Sequence, residues 1–191
     1  DVIARYYRKT GSNVLYVSGT DSHGTPITIR SHEEHCKPTD IVNHYHKNFC
    51  YCFDKLHFSY DNYTLTCNTY HKNFVQACIK KIYDNGYIYE KCGHLYWKLS
   101  LFQNDIEKFL ILHENVWRFN AINESQKYLQ EGLRDRAITR QLDWGIDVPI
   151  EGFDDKKIYV WIEAVLGYIS AGKYYCEQHC LDWNKFYKGT N

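Results

Sequence analysis

Gly19-Thr20-Asp21-Ser22-His23-Gly24-Thr25-Pro26-Ile27 follows directly on the short apolar run Val14-Leu15-Tyr16-Val17, and this junction decides the fold. A brief, wholly apolar run bounded by turn residues is the pattern of a strand covered on both faces, which is how strands of parallel sheets are buried. In open α/β sheets ligands bind beyond the carboxyl ends of the strands, so the polar, glycine-bracketed segment stands where a site belongs. Asp21 can hold a cationic amine and His23 can donate to a phosphate oxygen. Gly24 lets a ligand approach the backbone, and Pro26 fixes the exit of the loop. The same residues also fit an ordinary turn in which Asp21 caps a helix starting near Pro26. Both readings stand at this point.

Working outward, residues 1–9 read as the tail of a helix stopped by Gly11. Ile41, Tyr45, Phe49, Cys52, Phe53 and Leu56 recur at helical spacing after Pro38, which predicts a helix over 38–56. A second helix is predicted over 69–84, closed by Asn85-Gly86, with strand and loop over 58–65 between the two. The order of helix and strand is that of an α/β protein. Over 87–99 the aromatic, alternating residues predict two strands that pair or flank an inserted lobe. Ser100-Leu101-Phe102-Gln103 reads as a capping box opening a helix to about Leu112, with another helix over 124–133. Residues 156–161 read as a strand and 163–180 as a helix.

The bulk properties narrow the classes. A chain of 191 residues, 44% hydrophobic, can bury one sizeable core with a small appended lobe. Lys+Arg and Asp+Glu both number 23, so no overall positive field attracts a polyanion, and any RNA contact must be local or lie outside this segment. DNA is not an expected partner. None of the 8 cysteines forms a C-x-x-C pair, so neither a zinc ribbon nor a dithiol redox motif is written here. Cys176, Cys180 and His179 make a metal site conceivable, but thiols kept reduced in a cytosol are the plainer reading. No signal peptide and no apolar run long enough for a bilayer are seen, which predicts a cytoplasmic protein without a membrane partner. The chain opens in a helical pattern and contains no methionine, as expected either of a fragment or of a sequence from which methionines and disordered stretches are missing.

Two further segments can carry chemistry. In Val160-Trp161-Ile162-Glu163-Ala164-Val165-Leu166-Gly167-Tyr168, the large indole, the small Ala164 and Tyr168 one turn on can wall an apolar, polarisable pocket. A strand-to-helix turn with core aromatics fits the pattern as well. In Ala137-Ile138-Thr139-Arg140-Gln141-Leu142-Asp143-Trp144-Gly145, Arg140 can neutralise a carboxylate or pair with an acid such as Asp21. It equally fits a surface arginine.

Taken together, these segments, with Tyr87-Ile88-Tyr89-Glu90-Lys91 and Glu131-Gly132-Leu133-Arg134-Asp135, resemble the class I aminoacyl-tRNA synthetases from one end of the chain to the other, and among them the methionine enzymes. The resemblance implies a Rossmann-type parallel sheet flanked by helices with an inserted connective lobe. It divides the chain into a first part of the catalytic domain (1–86), a reduced connective lobe (87–135) and a second part (136–191). It implies that Asp21 holds the amino group of L-methionine, with Arg140 oriented toward Asp21 and the substrate carboxylate. Trp161, Ala164 and Tyr168 line the thioether pocket, and sulfur-to-ring contacts contribute about 0.3 to 1.5 kcal/mol. His23 and Gly24 lie near the nucleotide. ATP with Mg and tRNA(Met) are the other implied substrates, in a ligase reaction that passes through methionyl-adenylate.

The chain departs from the family in three ways. The phosphate-binding segments H-I-G-H and K-M-S-K-S would fall before Asp1 and after Asn191, so no catalytic residue is expected within these residues and they should not form adenylate alone. A non-catalytic methionine-binding relative is therefore the alternative reading. The family's zinc-bearing insertion is reduced to Cys92-Gly93, and both a true deletion and a missing lobe fit, the latter better because the flanks are intact. Gln141 stands where the methionine enzymes usually have Asp, and Val165 replaces a common proline.

Overall fold

The computed structural model describes residues 1–187, so the last four residues of the expected second catalytic part lie outside the description. Two compact units emerge: residues 1–78 with 141 onward, and residues 79–140. The inserted unit is wider than the expected lobe, because it takes in the end of a long helix that precedes it and residues 136–140 that follow it.

In the first unit, α1 (Val2–Lys9) leads to β1 (Val17–Thr20), and α2 (Thr25–Glu33) and α3 (Pro38–Lys55) carry the chain over to β2 (Asn62–Leu65). β1 and β2 pair in parallel, with Val17 opposite Asn62 and Thr20 opposite Leu65. This is a crossover connection, as parallel pairing requires. β1 begins three residues later than the apolar run predicts. The cause is Asp61: its Oδ2 accepts the Tyr16 N–H at 2.7 Å, and its own N–H donates to the Tyr16 carbonyl at 2.8 Å, so Val14 to Tyr16 are held by a loop rather than by the ladder. Arg8 adds a 2.6 Å ion pair to the same carboxylate and ties α1 to this loop. The strand instead extends through Gly19. A Cβ there would stand 2.7 Å from the Thr64 carbonyl oxygen, so glycine is what the parallel pair requires.

α4 (Thr69–Asp84) occupies the predicted span, with Val75 and Ile79 fully buried. Its start is capped by Asn68, whose Oδ1 accepts the His71 N–H at 2.8 Å. Later in the chain the expected strand over 156–161 shrinks to β7 (Lys157–Ile158), and helix α7 (Val160–Gln178) starts at once from an extended Tyr159. α7 packs on β1 and β2, and α8 (Trp183–Tyr187) packs on α7.

The second unit holds a hairpin of β3 (Ile88–Lys91) and β4 (His94–Trp97), extended by β5 (Arg136–Ala137). The hairpin closes through Cys92 and Gly93, with φ of 50° and 70°. Positive φ at both positions is the two-residue turn whose twist matches antiparallel strands. In the sequence as given, two residues connect the strands. A 3₁₀ turn (Leu99–Phe102) opens α5 (Gln103–His113), followed by α6 (Phe119–Gln130) and β6 (Thr139–Arg140). The capping box is not formed. Ser100 donates its hydroxyl to Asp135 at 2.7 Å, and the Gln103 amide bonds Leu133 N and Leu129 O. Leu95, Leu110, Ile122 and Ile138 form the core of this unit.

Candidate functional site

β1 delivers Asp21 to its carboxyl end, and the loop that follows is fastened on three sides. The fully buried Ser22 donates its N–H to Thr66 Oγ1 at 2.9 Å and its hydroxyl to the Thr20 carbonyl at 3.1 Å. Its own carbonyl accepts the Trp144 indole N–H at 2.7 Å. Asp21 does not cap α2. Gly24 holds that position with φ of 120°, a conformation that strains any residue with a side chain. The Asp21 carboxylate instead takes the His23 N–H at 3.4 Å and keeps one side open to solvent. Burial of its other side pushes this carboxyl up from the usual range. The His23 backbone bond opposes the rise, and the nearby Glu163 charge adds to it.

Because α7 begins at Val160, Trp161, Ala164 and Tyr168 sit three and four residues apart on a helix and share one face. That face looks outward: Trp161 is 69% exposed and Tyr168 67%. Together with Asp21, these three residues border a single cavity of about 210 Å³. Ser18, Gly19, Thr64 and Thr66 complete the strand side, and Val165, Gly167 and Ala171 the helix side. The arrangement offers one carboxylate, several small polar groups and two large aromatic walls, which suits a small molecule with a cationic end and an apolar body. A wider cleft of about 360 Å³ between α5 and α6 contains none of the predicted residues.

Four of the predicted residues thus meet in one place, and the rest are placed differently. Arg140 belongs to the second unit, where its Nη1 donates to the carbonyls of Ala137 and Thr139. Gln141 is exposed. His23 turns inward: its Nδ1 lies 2.7 Å from Glu163 Oε1, and its ring meets Trp144 edge-on at 5.2 Å. Glu163 is 0% exposed and takes His71 Nε2 on its other oxygen at 2.8 Å. Burial alone would push the Glu163 carboxyl up, but the bonds from His23 and His71 outweigh it and hold the group below its ordinary value.

Sequence reasoning missed Glu163, His71 and Ser22. Glu163 lay within a quoted motif but carried no pattern of its own, and its partners are 140 and 92 residues away. The conceivable metal site at Cys176, His179 and Cys180 is not assembled. Cys176 is buried, Cys180 is exposed, and His179 Nδ1 bonds the Tyr175 carbonyl. Among the described residues no group of three or more His, Cys, Asp or Glu side chains is arranged to hold a metal, and no helix is long and apolar enough to cross a membrane.

The family model described as tRNA synthetases class I (M) matches residues 1–93 and 90–191. The two matches meet at the β3–β4 turn. Methionine–tRNA ligase 1 of Alkaliphilus oremlandii is 39% identical over 250 residues, a match covering 98% of this chain and 46% of that protein. Methionine–tRNA ligase of Bacillus cereus (strain B4264) is 35% identical over 252 residues with the same coverage. Both matched stretches are longer than the 191 residues of this chain. The chain spans just under half the length of these curated relatives. A solved structure of Mycobacterium tuberculosis methionyl-tRNA synthetase bound by methionyl-adenylate aligns with a TM-score of 0.77 at 20% identity, covering 89% of this chain and 41% of that one. At that identity the likeness speaks for the fold.

Proposed function

The chain belongs to the class I tRNA synthetases of the methionine type, and on that premise we propose that it carries the amino-acid site of a methionine–tRNA ligase. The observation that carries the reading is the cavity shared by Asp21, Trp161, Ala164 and Tyr168. Asp21 receives the ammonium group of L-methionine, and the two rings with the small Ala164 between them receive the thioether, whose sulfur is favoured beside aromatic edges. Arg140 serves the substrate carboxylate, as the family resemblance implies. Gly24 and His23 lie on the nucleotide side of the loop.

In the reaction a methionine carboxylate oxygen attacks the α-phosphorus of ATP. The bond to the β-phosphate oxygen breaks, pyrophosphate leaves with its Mg, and methionyl-adenylate remains. A terminal ribose hydroxyl of tRNA(Met) then attacks the activated carbonyl and releases AMP. This chain's residues supply binding and orientation of the amino acid, which lowers the barrier by holding the carboxylate ready for attack. The setting is the cytoplasm, where translation consumes the product.

The test is methionine-dependent exchange between ATP and pyrophosphate on the full-length protein, with leucine, isoleucine and valine as controls. Exchange with methionine alone is expected. Exchange with valine and none with methionine overturns the assignment.

A further inference from the structure

The outward face of α7 forms the cavity wall, and its inward face carries a carboxylate that no role in substrate contact explains. Glu163 lies between Trp161 and Ala164 in sequence but points the opposite way, with its side chain 1% exposed. Its two oxygens are divided between two other segments of the chain. Oε1 takes His23 Nδ1 at 2.7 Å, from the loop after β1, and Oε2 takes His71 Nε2 at 2.8 Å, from the first turn of α4. The remaining nitrogen of His71, Nδ1, lies 2.8 Å from Ser170 Oγ, which returns to α7 two turns beyond Glu163. His71 is therefore bracketed by two residues of one helix, and His23 is bound to the first of them. His23 stands two residues after Asp21.

Burying a carboxylate is costly unless it is fully bonded, and a fully bonded buried network holds its members in one arrangement. The fold also tolerates an unmet cost to keep this one. His23 Nε2 is buried and has no partner among the described residues. We propose that Glu163 is a positioning residue for the amino-acid site: it ties the loop bearing Asp21 to the helix bearing Trp161, Ala164 and Tyr168, so that the ammonium partner and the side-chain wall stand in one fixed frame. The inference rests on the reading of that cavity as the methionine site.

The hydrogen-bond inventory distinguishes geometry from charge. In Glu163→Gln the amide oxygen accepts from His23 Nδ1, and the amide nitrogen donates to His71 Nε2. His71 then carries its proton on Nδ1 and donates it to Ser170 Oγ, whose own proton goes to the Gly167 carbonyl at 3.1 Å. Every bond of the tie survives without charge. In Glu163→Met the volume is kept and both bonds are lost.

The experiment is steady-state pyrophosphate exchange on the full-length protein and these variants, with active-site titration to count folded enzyme. Glu163→Met should raise the KM for methionine at least tenfold with kcat within about threefold of wild type, and Glu163→Gln should bring the KM back to within about threefold. A purely structural role would instead reduce the titrated fraction and leave KM alone. A methionine KM within twofold of wild type in Glu163→Met overturns the proposal. If that variant does not fold, His71→Ala decides: it cuts the α4 arm alone, and it should raise the methionine KM in the same direction by a smaller factor. An unchanged KM there is equally fatal. Wild-type protein that exchanges without requiring methionine would remove the functional reading and this inference together, whereas a normal wild type with indifferent variants removes only the inference.

Discussion

At the scale of single residues, the proposed amino-acid recognition turns on Asp21. It is exposed on its cavity side, so the charge it offers is partly solvated, and the gain from pairing is that of a charge-assisted hydrogen bond rather than of a buried ion pair. Asp21→Ala should weaken methionine binding by about 1.5 to 3 kcal/mol, read by titrating the tryptophan fluorescence of the full-length protein. A loss under about 0.5 kcal/mol would mean that the ammonium lies elsewhere. That Asp21, Trp161, Ala164 and Tyr168 border one cavity was legible in the sequence because motif and chemistry agree on them. Glu163 and His71 were not, since a buried network is assembled from distant segments and a lone sequence carries no mark of pairs separated by 92 and 140 positions.

At the scale of elements, α3 and α4 were readable to within a residue, whereas α6 starts five residues before the predicted 124 and α7 three before the predicted 163. Short apolar runs were not readable. Ile158-Tyr159-Val160-Trp161 satisfies strand and helix patterns alike, and only the extended Tyr159 before a helical Val160 resolves it. That boundary matters, because it sets Trp161 on the same helical face as Tyr168. The capping box over Ser100 to Gln103 failed for a different reason: partners in the segment leading into β5 claimed both side chains. The β3–β4 turn is the element most exposed to a simple test. A Cβ on Gly93 would meet nothing within 4 Å, so Gly93→Ala costs only its positive φ, about 1 kcal/mol. Thermal unfolding should show a fall of about 2 to 4 °C. No fall would mean that the turn adopts another form in solution.

For the whole molecule, two carboxyls with opposite shifts give opposite pH dependences. Glu163 is held below its ordinary value. Its contribution to the fold is complete above the unfolded-state value and is lost as pH falls through the lowered one. Asp21 is raised, so its protonation favours the free fold at low pH, while methionine binding weakens as pH falls through that higher value. On acidification, methionine affinity should therefore fail before the fold does, checked by fluorescence titration beside thermal unfolding across the acid range. Simultaneous loss would show that one group controls both. The α/β class and the inserted lobe could be expected from element order and from the family resemblance. The boundaries of the inserted unit could not, because α4 runs from one unit into the other without a break in its apolar period.

The first unit is discontinuous: residues 1–78 carry His23 and His71, and Glu163 arrives from beyond residue 140. On a ribosome, which emits roughly 5 to 20 residues per second, the intervening unit is contiguous and rich in local contacts, so it can close while the first sheet still waits. During that interval of several seconds the β1–β2 pair lies uncovered and both imidazoles lack their carboxylate. The emergence of α7 therefore closes this network, and the cavity beside Asp21 gains its second wall only from that moment.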